Sequence, residues 1–212
     1  MMTLALEFSS SQRSVALAKE GVVLNEAIET GGRGTAAFSM IERVLAAAKV
    51  EREQIEMICV GLGPGSYTGI RAAISIAQGW QLARQTRVAG ISSVEALAAQ
   101  AQSDNIFGQV SVVIDAQRNE FSLAVFEVSQ NGWKEIESLK IVPPENISTQ
   151  AAKDRILVGP GVTRWFPQGR DIFPRASHLV RLVRQHGRAI AVEKLEPIYL
   201  REMTFAKAVP LV

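Results

Sequence analysis

The feature that most constrains the fold is an internal repeat. Glu7 is followed seven residues later by Ser14 and the apolar run SVALA, and Asp115 is followed seven residues later by Ser122 and the run SLAVF. The two copies lie 108 residues apart. Because self-similarity at a fixed spacing indicates a duplicated structural unit, the sequence predicts two similar halves. Coincidence between two unrelated hairpins is the alternative.

Each half shows the same order of elements: three antiparallel strands, a helix, and then a parallel strand. This order resembles the ribonuclease-H-like half of the actin, Hsp70 and hexokinase superfamily. The resemblance implies an α/β fold with a first lobe at 1–104 and a second, reduced lobe at 105–212, each a mixed sheet with helices. In that architecture the acid ending each first strand points into the cleft between the lobes, so Glu7 and Asp115 are expected as cleft acids.

Local patterns predict the individual elements. Glu20 and Gly21 form a tight hairpin signal between two strand-like runs. A helix is expected at 35–49 with Thr35 as its N-cap, and Ser92 or Ser93 is expected to cap another. The predicted strands cover 3–9, 14–19, 22–30, 55–63, 87–91 and 133–142, with one more ending at 158–161, and the further helices cover 69–84, 92–102 and a segment opening at Pro143 and Pro144.

Composition excludes several classes of protein. Hydrophobic residues make up 47% and charged residues 21% of the 212 residues, which is typical of a globular chain. A net charge of +2 supports no electrostatic argument for nucleic acid. Cys59 is the single cysteine, which excludes an internal disulfide, and we expect it to be a buried core thiol. The absence of a signal-peptide pattern and of a long apolar run predicts a cytoplasmic location without membrane contact.

The most specific stretch is a glycine-rich loop in VGLGPGSYTGIRAAISIAQG (60–79), between a predicted strand and a helix. Such a loop can direct backbone N–H groups at an anion. Neither familiar phosphate motif is present, because the loop has no lysine and carries Ser66 where a dinucleotide fingerprint needs its third glycine. A structural turn capped by Ser66 or Thr68 is the equal alternative. The candidate anion or nucleotide loop consists of Gly63, Pro64, Gly65, Ser66, Thr68, Gly69 and Arg71.

Five segments together resemble the TsaB, or YeaZ, family. They are TLALEFSS near the start, VGLGPGSYTGIR, ISSVEALA at 91–98, IDAQRNEFSLAVF and PIYLR at 197–201. The resemblance covers nearly the whole chain. Two positions depart from the family pattern, since Gly34 stands where relatives often have histidine and Glu7 stands where the first-strand acid is usually aspartate.

The resemblance implies a noncatalytic role. TsaB-like proteins work with TsaD, which carries the metal, the nucleotide and the transfer of the threonylcarbamoyl group to the adenosine next to the anticodon of tRNA. TsaE is an ATPase acting on their complex. We therefore expect no catalytic residue, metal or cofactor in this chain, partners similar to TsaD and TsaE, and tRNA contact mainly through the complex.

Two helices are candidates for a partner surface. The apolar arcs predicted at 35–49 and 69–84 are wider than one sheet contact requires, which favours a four-helix contact with another chain. The resemblance implies the same helices for binding TsaD and for a homodimer when the chain is alone. Burial of both faces inside the monomer is the alternative. The candidate interface residues are Phe38, Met40, Ile41, Val44, Leu45, Ile70, Ala73, Ile74, Ala77 and Trp80.

A basic stretch runs from Arg164 to Arg188, with six arginines and one acid, Asp171. It could lie near tRNA phosphate, although a solvated helix face is the stronger interpretation. We expect the histidines of this stretch to be surface residues and its aromatic pair to be core anchors. The histidines are His178 and His186, and the aromatic pair is Trp165 and Phe166.

Three functions compete at this point. The first is the noncatalytic subunit of a tRNA-modifying complex. The second is a stand-alone ATPase or kinase with Glu7 and Asp115 around a metal. The third is a peptidase with a Ser66 nucleophile, which the sequence disfavours because it places no histidine base near Ser66 and lacks H-E-x-x-H.

Overall fold

The first sheet has five strands, and its first three strands are antiparallel and the fourth is parallel to the first, as predicted. A computed structural model describes residues 1–31, 37–151, 154–186 and 195–201. Strand β1 lies at the centre, antiparallel to β2 and parallel to β4, giving the order β3-β2-β1-β4-β5. The strands are β1 (Met2–Glu7), β2 (Gln12–Lys19), β3 (Val22–Thr30), β4 (Met57–Gly61) and β5 (Arg87–Ile91).

The second sheet repeats this topology. Its first strand is again central, antiparallel to the second and parallel to the fourth, in the order β10-β9-β6-β7-β8. The strands are β6 (Gly108–Asp115), β7 (Phe121–Ser129), β8 (Gly132–Val142), β9 (Ile156–Gly159) and β10 (Arg170–Asp171). The shared strand order confirms the duplicated ribonuclease-H-like fold. The last strand is only two residues long, in keeping with a reduced second lobe.

The first four described helices lie close to their predicted positions, and the fifth lies in the basic stretch, where no helix bounds were predicted. They are α1 (Ala37–Ala48), α2 (Tyr67–Arg84), α3 (Ser93–Ser103), α4 (Pro144–Ala151) and α5 (Ala176–His186). The hairpin signal is confirmed, because Glu20 and Gly21 both have positive φ at the β2–β3 turn. The predicted cap Thr35 lies outside the described residues, and so does Gly34, which stands where relatives often have histidine.

Helices α3 and α5 join the two halves. The alanine-rich α3 buries Ala96 and Ala99 in the core of the first sheet and Leu97 and Ala101 in the core of the second. Helix α5 follows the second sheet in the chain but packs on the first, with Leu179 among its buried residues. The lobe boundary between residues 104 and 105 stays a prediction, and the fold shows that the chain crosses back to the first sheet.

One expectation about the core is confirmed. Cys59 is fully buried, and burial raises the pKa of its thiol, with the nearby Glu7 carboxylate adding to this effect.

Among the described helices, none is long and apolar enough to cross a membrane.

Candidate functional site

The glycine loop folds tightly against the β1–β2 turn. The Ser66 hydroxyl caps α2 by accepting a hydrogen bond from the Gly69 N–H at 3.3 Å, and the Ser66 N–H donates to the Ser9 carbonyl at 2.6 Å. A Cβ added at Gly65 would lie 2.1 Å from the Ser9 oxygen, and one at Gly69 would lie 2.0 Å from the Phe8 oxygen. These two glycines therefore serve close backbone packing, as the structural-turn alternative predicted.

The loop also lines a cleft between the lobes. The cleft has a volume of about 520 Å³. Ser66 and Thr68 contribute hydroxyl groups, and the exposed Asp115 faces them from the second lobe. The lining residues are Ser9, Ser10, Ser11, Arg13, Gly31, Gly65, Ser66, Thr68, Ile114, Asp115, Gln117 and Pro160. The cleft thus presents several hydroxyls, a guanidinium and one carboxylate, which suits a polar ligand.

The prediction that Glu7 faces the cleft is wrong. Its side chain is fully buried, and its carboxylate accepts hydrogen bonds from the Ser9 N–H at 2.8 Å and from the Ser93 hydroxyl at 2.9 Å. The carboxylate lies where a side chain at Gly61 would stand, since a Cβ there would be 2.0 Å from Glu7 Oε2. Burial raises the pKa of Glu7, and the two serines oppose that rise. Glu7 therefore organises the loop from inside and does not face the cleft.

The prediction for Asp115 agrees with its position. The residue ends β6 and lines the cleft, and its Oδ1 accepts a hydrogen bond from the Gln117 N–H at 2.7 Å. Among the described residues, no group of three His, Cys, Asp or Glu side chains is placed to hold a metal ion. The cleft therefore brings one of the two predicted acids together with the loop.

Arg71 lies away from the cleft. Its guanidinium stands 5.2 Å from the centre of the Tyr67 ring and donates a hydrogen bond to the Tyr67 hydroxyl. Pro64 and Gly65 line a second cavity, which Asp115 also lines. Gly65 lines both cavities, and three residues of the predicted loop, Gly63, Gly69 and Arg71, line neither.

Sequence reasoning missed several cleft residues. Arg13 lines the cleft and lies over the Phe8 ring at 5.7 Å, and Pro160 lines the opposite wall. The run Ser9-Ser10-Ser11, which begins two residues after β1 ends at Glu7, was the available signal, because a hydroxyl-rich turn near a strand end can face a ligand.

Most predicted interface residues belong to the protein's own core. Helices α1 and α2 pack on the first sheet with the faces that we expected to bind a partner, so the monomer-burial alternative holds for those faces. Only Phe38, which is 65% exposed, and the half-buried Trp80 remain at the surface. The eight buried residues are Met40, Ile41, Val44, Leu45, Ile70, Ala73, Ile74 and Ala77, each at most 5% exposed.

A different set of residues forms the outer surface of these helices. Phe38, Ile76 and Trp80 surround a mainly apolar cavity of about 660 Å³, which we call the outer groove. Arg84 and Glu53 at its rim form an ion pair at 2.7 Å. The complete lining is Ala37, Phe38, Arg52, Glu53, Ala72, Ser75, Ile76, Gly79, Trp80, Ala83 and Arg84.

Three arginines of the basic stretch make contacts within the molecule. Arg175 binds Glu26, Arg184 donates to the Glu20 carbonyl at 3.3 Å, and Arg181 donates to Ser103 at 2.9 Å. These contacts stabilise the packing of α5. Arg188 lies outside the described residues, and contact of this stretch with tRNA phosphate stays a prediction.

His178 is buried, so its predicted surface position is wrong. Its Nε2 lies 2.8 Å from Gln100 Oε1, and its Nδ1 contacts the Arg181 guanidinium. Burial lowers the pKa of His178 to about 3, and the nearby Arg181 and Arg175 contribute. The imidazole is therefore neutral and serves as a structural link between α3 and α5.

The aromatic pair divides between core and surface. Phe166 is buried, as predicted, whereas Trp165 is 52% exposed and meets Phe121 edge-on at 5.7 Å between ring centres. The His186 side chain lies outside the described residues. The expectation of two core anchors is therefore right for Phe166 and wrong for Trp165.

Comparison with known proteins places this architecture in a family. Residues 7–158 match the family model "TsaD: tRNA N6-adenosine threonylcarbamoyltransferase". The Haemophilus influenzae tRNA threonylcarbamoyladenosine biosynthesis protein TsaB is 32% identical over 96% of this chain and 95% of its own length. The chain belongs to the TsaB family within this wider group. The Escherichia coli TsaB is 29% identical over 99% of both chains.

A solved structure agrees with the TsaB assignment. YeaZ from Pseudomonas aeruginosa superposes with a TM-score of 0.80 at 27% identity, covering 94% of this chain and 99% of that one. The relationship therefore extends over the whole TsaB-family chain and includes both lobes. The predicted resemblance is confirmed.

Proposed function

We propose that this TsaB-family chain is a noncatalytic subunit that binds a TsaD-like protein and thereby supports threonylcarbamoyl modification of the adenosine next to the anticodon of tRNA. The observation that carries the proposal is the outer groove on α1 and α2. It combines the 65% exposed Phe38 with Ile76 and Trp80 in one apolar surface. A contiguous apolar patch with a polar rim is typical of a protein interface.

Trp80 adds a specific argument for a protein partner. Its indole N–H is buried and has no hydrogen-bond acceptor among the described residues. Tryptophan is enriched at interface hot spots, where its ring packs and its N–H finds an acceptor. A partner helix on the outer groove would cover the solvent-accessible part of the ring, whereas the N–H is already enclosed by this chain. The same surface would serve a homodimer when the chain is alone.

The inward position of Glu7 supports the noncatalytic role. A stand-alone ATPase or kinase of this fold would use the first-strand acid in the cleft, whereas Glu7 is held by Ser9 and Ser93 inside the core. Asp115 is then the acid of the predicted pair that faces the cleft. In this proposal the nucleotide, the metal and the transfer chemistry belong to the TsaD-like partner. A TsaE-like ATPase acts on the complex, and tRNA meets the chain mainly through that complex.

Reconstitution tests this function. We would combine the purified chain with TsaD-like and TsaE-like proteins, a source of threonylcarbamoyl-adenylate and unmodified tRNA, and then omit one component at a time. The expected result is modified adenosine only when this chain is present. Normal modification without the chain contradicts the proposal.

Calorimetry separates the alternative. The isolated chain is titrated with ATP and magnesium, and phosphate release is followed in parallel. The proposal predicts no ATP hydrolysis by the chain alone. Binding followed by turnover would favour the stand-alone ATPase or kinase instead.

A further inference from the structure

Two exposed tyrosines and an arginine form a cluster apart from the outer groove. Tyr67 is 53% exposed and Tyr199 is 58% exposed, and their ring centres are 6.0 Å apart with planes tilted by 42°. The Arg71 guanidinium lies 5.2 Å from the centre of the Tyr67 ring. Aromatic faces and a guanidinium at one exposed position are the groups on which unpaired nucleobases stack.

Both rings stand on backbone that is fixed to the first lobe. Tyr67 is the first residue of α2. Tyr199 follows Ile198, whose N–H donates to the Leu62 carbonyl at 2.9 Å, and Leu195 anchors the same segment in the core with 3% exposure. The pair is therefore positioned before any ligand arrives, which lowers the entropic cost of binding.

A cavity of about 290 Å³ adjoins the rings. Arg201 forms one wall, and it is held by an ion pair with Glu120 and by the Ala116 carbonyl at 3.4 Å. Asp115 and Ser122 offer groups that can accept hydrogen bonds from a base. The complete lining is Pro64, Gly65, Tyr67, Asp115, Ala116, Gln117, Ser122, Ile141, Ile198, Tyr199, Leu200 and Arg201.

We propose that this tyrosine cluster binds an unpaired nucleotide of an RNA strand, with the base stacked on Tyr67 and Tyr199 and the backbone phosphate near Arg71. The guanidinium carries five N–H donors, and the Tyr67 hydroxyl is the acceptor that the described residues provide for it, so donors remain for phosphate. The choice of RNA rests on the proposed function in tRNA modification. The chemistry of the site is that of any single-stranded nucleotide.

The cluster is separate from the other two surfaces. Its cavity shares no lining residue with the outer groove and shares only Gly65, Asp115 and Gln117 with the cleft. Partner binding and RNA binding therefore use different side chains. Variants of one surface should leave the other intact, and the failure of either proposal can be recognised independently.

The test measures binding of a fluorescein-labelled hexaribonucleotide of adenosines to the purified full-length chain by fluorescence anisotropy. Tyr67→Ser and Tyr199→Ser should each weaken binding about fivefold to 150-fold, because each removes one stacking face. Tyr199→Phe is the matched control and should bind within about twofold of the natural chain, because the ring remains. Circular dichroism checks that each variant is folded.

Competition experiments define the ligand. An RNA duplex should compete more weakly than the single strand, because its bases are already stacked. Unchanged affinity in both serine variants, or no binding of the hexamer by the folded natural chain, overturns the proposal. If the duplex competes as strongly as the single strand, base stacking is not the mode of binding. If AMP competes as strongly as the hexamer at equal molar concentration, the ligand is a free nucleotide and not an RNA strand.

Capture of the TsaD-like protein provides the independent readout. The Tyr199→Ser variant should still capture this partner, because the outer groove is unchanged. Loss of hexamer binding with retained capture supports both proposals. Hexamer binding without capture by the natural chain would mean that the proposed function fails while the stacking site stands.

Discussion

The Ser93 hydroxyl donates a hydrogen bond to the Glu7 carboxylate at 2.9 Å, across a separation of 86 residues. Ser93 also accepts a hydrogen bond from the Gly63 N–H at 3.1 Å. The end of β1, the glycine loop and the start of α3 are therefore joined through one buried side chain. This connection explains why a position associated with cleft chemistry is structural in this protein.

Glu7 should make stability fall as the pH rises. Because burial raises its pKa above the ordinary value of 4.5, the folded chain retains a proton that the unfolded chain has released. The contribution of Glu7 is fully present below pH 4.5 and is lost as the pH rises through the folded-state pKa. Thermal unfolding from acid to neutral pH should show the natural chain losing stability relative to Glu7→Gln. Parallel curves for the two proteins would contradict this.

His178 should act in the opposite direction at acid pH. Its pKa falls from 6.5 to about 3 on folding, so its contribution to stability is fully present above pH 6.5 and is lost as the pH falls toward 3. Nuclear magnetic resonance should find the His178 ring neutral at pH 5 in the folded chain. A titration midpoint near 6.5 would show that the contact with Gln100 does not persist in solution.

Gly61→Ala should destabilise the fold. The new Cβ would collide with the Glu7 carboxylate, whose Oε2 is 2.0 Å from that position and which is fully buried and held by Ser9 and Ser93. We expect a loss of about 1–3 kcal/mol in the free energy of unfolding, measured with urea. Gly79→Ala is the matched control, because no atom lies within 4 Å of its Cβ position in α2. It should be neutral or stabilise by up to about 1 kcal/mol, and equal losses in both variants would contradict the packing argument.

Phe38 and Leu45 should have opposite effects although both lie on α1. Phe38→Glu should leave the free energy of unfolding nearly unchanged and weaken capture of a TsaD-like partner at least tenfold, because the exposed ring is removed from the outer groove. Leu45→Ala should cost about 2–5 kcal/mol in unfolding free energy, because Leu45 is in the core. Capture that is unaffected by Phe38→Glu would remove the outer groove as the binding surface.

Local patterns predicted the elements well. The Ser66 cap, the hairpin at Glu20 and Gly21, and the start of α4 at Pro144 all appear where the sequence placed them. Each depends on residues within one turn or one short connection, so neighbouring side chains are sufficient to specify it.

The direction of individual side chains was less predictable. Met40 and Val44 have the same apolar character as Phe38, but the helix rotation that buries them depends on the first sheet. His178 is buried between α3 and α5, where its ring contacts Gln100 and Arg181. Arg181 is a neighbour on the same helix, but Gln100 lies 78 residues away, so no local pattern contains the contact between α3 and α5 that buries the ring.

The sequence by itself determined the duplicated topology and the family, because both are carried by short segments whose spacing repeats along the chain. Only the tertiary structure decided that Glu7 turns inward, that the outer groove is formed by Phe38, Ile76 and Trp80, and that Tyr199 reaches Tyr67. The physical reason is that burial and contact depend on how distant segments pack, and packing rotates each side chain toward the space that the rest of the fold leaves.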